Sequence, residues 1–219
     1  MKKQASTAMW TAAALAASLL LGACGGDGDS DDKIDGAKDG AKPSAKSSSP
    51  SASSSTSDRK APDEIKLAKD AKNVFEAAET GDPKKDEVLA DNQRRINAID
   101  RVITTGKDVD QVTVYTTGKA AISANEYIRS FVKYGKSWAG VTRYYNQTVK
   151  LDGDKVANLT FCADESKAKN KILKTGKLEP NNGGDKNYIF STLRMVRNKE
   201  GVWQATSGSE TAGAAKCMS

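Results

Sequence analysis

Three cysteines and no histidine bound the chemistry open to this chain. Without histidine there is no Ser-His-Asp triad, no Cys-His pair and no His-ligated metal. Cys24 closes the run Leu21-Gly22-Ala23-Cys24, while Cys162 and Cys217 stand far downstream. The residues before Cys24 have the three parts of a secretory signal. Lys2 and Lys3 are positive, Met9 to Leu21 is Ala/Leu-rich and apolar, and Gly22 and Ala23 are small. The apolar run is shorter than the roughly 20 residues that a membrane-spanning helix needs. This grammar predicts a signal peptide over 1–23 and lipidation of Cys24. The alternative is an ordinary signal peptide with a cysteine placed there by chance.

The pattern resembles that of bacterial lipoproteins. The resemblance implies a diacylglyceryl thioether on Cys24 and acylation of the new amino terminus, which would hold the protein on the outer face of the cell membrane. Two or more acyl chains anchor stably, whereas one holds only marginally. Export also sets the redox state expected of the other two cysteines. An even pair in an oxidising compartment forms a disulfide, so Cys162–Cys217 is the expected bridge. Two separate buried thiols are the alternative. Closing so long a loop stabilises by about 3–4 kcal/mol on the chain-entropy model.

Metal and nucleic acid have little support. Asp27, Asp29 and Asp31 have a suggestive calcium-loop spacing, but no glutamate sits at the closing position. Two cysteines without histidine do not make a structural zinc site. No metal and no cofactor are therefore expected. The formal charge is +6, and loss of Lys2 and Lys3 leaves +4. The basic residues are interspersed with acids, as in Lys66-Leu67-Ala68-Lys69-Asp70, without the clustered face that nucleic acid requires. A solvated surface is the expected reading, with an anionic envelope polymer as a further contact to consider.

The segment 24–61 has no hydrophobic period. It opens Gly25-Gly26-Asp27-Gly28-Asp29 and continues, from Pro43 to Ser57, mostly as Ser, Ala and Pro. It cannot bury enough apolar surface to offset its ordering entropy, so a disordered tether is predicted. Residues 62–219 remain, about 155 residues, enough for one domain with a core. Leu67, Ala71, Val74, Phe75 and Ala78 predict a first helix, ended by Gly81. Asp82-Pro83 starts a second, with Val88, Leu89, Asn92, Ile96, Ile99 and Ile103 on its face and Gly106 at its end. Val109–Tyr115 reads as a short strand. Thr117-Gly118 opens a third helical pattern through Val132, with Gly135 after it, although its aromatics leave a strand as the alternative. The period then changes to two. Strands are predicted over 138–149, 155–162, 186–197 and 202–207, with turns at Asp152-Gly153-Asp154 and Asn198-Lys199-Glu200-Gly201. Ala163 to Asp185 reads as a long polar connection, and Trp203 as a buried anchor. Helices followed by a meander of about four strands define an α+β domain, with the helices covering a curved antiparallel sheet.

This order resembles the nuclear-transport-factor-two-like fold, a cone of helices and curved sheet. The texture is also similar to actinomycete envelope lipoproteins of unknown function that carry such a domain. The residues behind this likeness are Gly140-Val141-Thr142-Arg143-Tyr144-Tyr145, Phe161-Cys162-Ala163-Asp164-Glu165-Ser166, Lys174-Thr175-Gly176-Lys177, Gly201-Val202-Trp203-Gln204 and the late Cys217. It covers about residue 62 to the end. Enzymes of that class place an Asp/His or Asp/Tyr/Arg set inside the cone. The resemblance makes Asp164 with Tyr144 or Tyr145 the nearest candidate set here. The bland reading is that Asp164 caps a turn and the tyrosines are core residues with their hydroxyls at the rim.

Three functions follow as expectations. The first is a non-enzymatic, membrane-anchored lipoprotein that binds a small ligand or an envelope protein in a hollow lined by Phe, Tyr and Trp, with few ionisable groups. The second is a carboxylate/tyrosine isomerase or dehydratase, which requires a buried acid with a perturbed pKa in that hollow. The third is a docking module with a filled core and an apolar surface patch. No catalytic residue is assigned under the first. A two-lobed solute-binding protein needs a longer chain than this.

Overall fold

A computed structural model of the chain describes residues 64–218. The expected signal peptide (1–23), Cys24 and the tether to residue 61 lie outside the described residues. The first element is a strand, β1 (Ala71–Phe75). Three helices follow: α1 (Pro83–Thr105), α2 (Asp110–Tyr115) and α3 (Gly118–Val132). The long strands β2 (Lys136–Asp152) and β3 (Val156–Ile172) come next, then the short β4 (Leu178–Glu179). β5 (Tyr188–Arg197) and β6 (Trp203–Ala212) complete the sheet. Its order is β1-β2-β3-β5-β6, with β4 paired to the end of β3. Every pairing of these strands is antiparallel except β1 with β2. The domain is thus α+β, with helices on one face of a six-stranded, mostly antiparallel sheet.

Several expectations are corrected here. Residues 71–75 form a strand, not a helix. Ala71, Asn73 and Phe75 alternate toward the helices, and Phe75 stacks on Tyr144 with ring centroids 4.8 Å apart. Edge pairing with β2 overrides a spacing that also suits a helix. Residues 110–115 form a helix because Val112 and Tyr115, three apart, are both buried while Val114 is exposed. Residues 163–172, read as polar connection, continue β3. Their outward positions carry lysines, which mask the period of two. The sheet accordingly has more strands than the four expected.

Other elements follow the local chemistry closely. The Asp82 carboxylate accepts from the Lys84 and Lys85 amides, Pro83 opens α1, and Gly106 ends it in the left-handed conformation. Asp152-Gly153-Asp154 turns β2 into β3, and Asn198 closes the β5–β6 turn by bonding Val202. Trp203 is fully buried among Leu159, Met195 and Val88.

Two irregularities bend β2. Its register to β3 shifts between Val141 and Arg143 and again between Tyr145 and Thr148. Gly140 (φ 105°) lies just before the first shift and Asn146 (φ 51°) within the second. A Cβ on Gly140 would lie 2.3 Å from the Lys167 carbonyl oxygen, so the backbones approach there as only glycine allows. Bulges of this kind curl a sheet, and this one curls toward its helices. Cys162 and Cys217 are bonded on the opposite, outer face, with Cα atoms 5.5 Å apart. Tyr145, Ala214, Tyr188 and Phe190 pack around them.

Candidate functional site

A hollow of about 350 Å³ opens between the helices and the concave face of the sheet. Each element lines it with its own period. On α1, Arg95 and Ile99, and Ile96 and Asp100, are four apart and share a face. On α3, Ala120, Ser123, Ala124 and Tyr127 recur at helical spacing. Phe161, Ala163 and Glu165 on β3, and Ile189, Ser191 and Leu193 on β5, alternate inward. Tyr144, Ser209 and Glu210 close the ring. The volume falls within the range of small-molecule sites, about 300–1,000 Å³. The interior is therefore open, unlike the filled core expected of a docking module, and it holds more ionisable groups than the small-ligand reading expects.

Asp100 is the most constrained of these groups. It is 6% exposed. Its Oδ2 accepts from Asn73 Nδ2 at 2.7 Å, and its Oδ1 accepts from Trp138 Nε1 at 3.3 Å. Asn73 is held in turn because it also donates to Asn97 Oδ1. Burial pushes the Asp100 carboxyl up to about 6, against the pull of those two donors and of Arg95. Glu165, across the hollow on β3, is pushed up to about 7. Burial is the main cause, and the negative charges of Asp100, Glu210 and Asp164 add to it. Burial raises the Tyr144 phenol well above its usual range, so it stays neutral and able to donate. Arg95 donates through Nε to Asn92 Oδ1 at 3.0 Å; burial lowers its pKa from the ordinary value, and the charges of Glu210 and Asp100 oppose that.

The hollow thus combines apolar side chains with two carboxyls raised to about 6 and about 7, a neutral phenol and a guanidinium. Such a set can orient a small polar-ended molecule, and a carboxyl in this state can take up or give up a proton near neutral pH. Among the described residues, no cluster of Cys, Asp and Glu has the arrangement of a metal site.

Of the candidate set, Asp164 with Tyr144 or Tyr145, neither pairing forms inside the hollow, and this is a correction; Asp164 and Tyr145 share the outer face, where burial and then the Asp164 charge push the Tyr145 phenol up. Tyr144 faces the hollow, while Tyr145 and Asp164 alternate to the outer face. The Tyr145 ring lies under the Arg143 guanidinium, 4.2 Å away, and its hydroxyl donates to the Cys217 carbonyl. Asp164 is inside β3, not after it, and accepts from the Ser166 amide at 2.9 Å. The acids that do enter the hollow were legible only in part. Asp100 is a charge set in the Ile96–Ile99–Ile103 face of α1. Glu165 extends the alternation Phe161, Ala163, and was missed because the strand was ended too early.

No family model matches the chain, and no curated protein matches it. Solved structures of similar arrangement include a ketosteroid isomerase-like protein from Erwinia carotovora atroseptica. It is 12% identical, with a TM-score of 0.41, over 58% of this chain and 94% of that one. Another is Aln2 from a Streptomyces species, at 15% identity and TM-score 0.41, over 63% and 94%. A third is the intermembrane space region of the chloroplast protein ARC6, at 10% identity and TM-score 0.41, over 63% and 99%. These likenesses concern the arrangement of elements and carry nothing about activity.

Proposed function

We propose that the chain is a lipoprotein of the outer face of the cell membrane, with a nuclear-transport-factor-two-like domain that binds a small organic molecule in its hollow. The observation that carries this reading is the mixed lining of the open hollow: Ile96, Ile99 and Phe161 are apolar, and Arg95, Asp100 and Glu165 are ionisable. The ligand it fits has an apolar ring-sized body and one polar end. The role is binding, without catalysis.

A second reading is favoured by one specific observation, the Asp100 carboxyl poised near 6 in a hollow that also holds the neutral Tyr144 hydroxyl. That pairing suits removal and return of a proton beside a carbonyl, as in an isomerase or dehydratase. One experiment addresses both. The protein is mixed in D₂O with ring compounds bearing a ketone, a hydroxyl or an amine, including a β,γ-unsaturated cyclic ketone, and followed by NMR. Binding gives saturation transfer to the ring protons, and Ser123→Trp at the mouth of the hollow abolishes it. Catalysis would show as loss of the ketone's α-proton signal, lost again in Asp100→Asn. Equal saturation transfer in wild type and Ser123→Trp, or none with any compound, sinks the binding reading. Exchange no faster than in buffer sinks the catalytic one.

A further inference from the structure

At the end of the sheet far from the Asp152–Asp154 turn, two turns meet. One is Lys133-Tyr134-Gly135, between α3 and β2. The other runs from Leu173 to Lys177, between β3 and β4. The Leu173 amide donates to the Gly135 carbonyl at 2.9 Å and joins them. The second turn is closed on itself: Gly176 donates to the Ile172 carbonyl, and Ile172 to that of Lys177. This tip is therefore a built feature.

Its surface is unusual in two ways. Tyr134, Val132, Leu173 and Leu178 are exposed at 65%, 58%, 51% and 46%. Around them basic residues predominate. Lys167, Lys169, Lys171, Lys174 and Lys177 fall between Glu165 and Glu179 with no acid among them. Arg129, Lys133 and Lys136 likewise follow Glu126 without an acid. The Lys133 ammonium lies 5.4 Å from the centroid of the Tyr134 ring. Among the described residues, Lys171 alone of this set is taken up by an acid, Asp70 at 2.7 Å. That pair also shows that the chain arriving from its N-terminal side joins the fold beside this tip.

We propose that this tip is a membrane-contact surface that rests on anionic lipid headgroups. Lysines with an interleaved tyrosine and leucines match the interface of a charged bilayer, where ammonium groups meet phosphates and apolar side chains enter the acyl boundary. A soluble polyanion would satisfy the lysines and leave Tyr134, Val132, Leu173 and Leu178 in water. The bilayer is the one occupant that accounts for both. The proposal is independent of the hollow and of what it binds.

The test uses the mature chain from residue 24 carrying Cys24→Ser, so that no acyl chain masks the contact. Every described element and core contact lies downstream of this point. Co-sedimentation is measured with vesicles of phosphatidylcholine containing one third phosphatidylglycerol. Binding is expected to weaken as salt is raised, to fall at least about tenfold in Lys174→Glu with Lys177→Glu, and to fall in Tyr134→Ser with Leu173→Ser. The pair Lys150→Glu with Lys155→Glu, at the other end of the β2–β3 hairpin, is expected to leave it unchanged. Equal binding to pure phosphatidylcholine would overturn the proposal. So would equal weakening by the Lys150/Lys155 pair, which would mean general charge attraction. Unchanged binding in the Tyr134/Leu173 pair would assign the tip to a plain polyanion and overturn it as well.

Discussion

Asp100 links the hollow to the stability of the fold. Its ordinary pKa of 3.8 rises to about 6 in the folded chain, so the folded state holds its proton where the unfolded state has lost it. Below pH about 4 the group is protonated in both states and costs nothing. Above pH about 6 it is charged in both, and only the folded state bears the burial. Stability therefore falls as pH rises between these values, by on the order of 3 kcal/mol. Glu165, raised to about 7, extends the fall in the same direction. Asp70 and Asp154, held down by Lys171 and Lys84, act oppositely and at lower pH. Urea unfolding from pH 4 to 8 is expected to show a decline in wild type that is flatter in Asp100→Asn, most clearly between pH 4 and 6. Parallel profiles would mean that Asp100 is not the group responsible. At this scale the sequence is hard to read. Asp100 looks like one more charge on a helix that also carries Asp86, Asp91 and Arg94, and only Asn73 and Trp138, distant in the chain, single it out.

Elements with strong local chemistry could be read before the structure. The Asp82-Pro83 start and Gly106 stop of α1, the Gly153 turn and the fully buried Trp203 each rest on a cap, a backbone conformation or a large apolar side chain. Elements decided by distant partners could not. β1 is a strand because β2 offers an edge, and the second half of β3 is a strand because β2 continues beside it. The C-terminal tail belongs to this second kind. After β6 it folds over the outer face, where Cys217 bonds Cys162 and the Tyr145 hydroxyl meets the Cys217 carbonyl. The two cysteines are 55 residues apart, and closing a loop of that length stabilises by about 4 kcal/mol on the chain-entropy model. Unfolding with and without reductant is expected to differ by about that amount, and Cys217→Ser is expected to behave as the reduced wild type. A reductant that changes neither the alkylated mass nor the unfolding midpoint would count against the bridge.

At the scale of the molecule, two different attachments to a membrane are argued from different parts of the chain. The lipid proposed on Cys24 would be a covalent anchor, insensitive to salt. The tip around Leu173 and Lys174 is a contact between charges and headgroups, and salt screens it over roughly 8–10 Å at physiological strength. The two are separable in cells. Wild type expressed in a bacterial host with an alkynyl palmitate analogue is expected to take up label and to stay with the membrane fraction through a high-salt wash. Cys24→Ser is expected to take up none and to leave the membrane in that wash, although part of it sediments at low salt. The intermediate outcome is informative because of this difference in mechanism: unlabelled protein that resists high salt would point to the uncleaved apolar run of Met9–Leu21 as the holding element. Label retained by Cys24→Ser would show that the fatty acid is carried elsewhere, and the lipoprotein reading of Leu21-Gly22-Ala23-Cys24 would then be wrong.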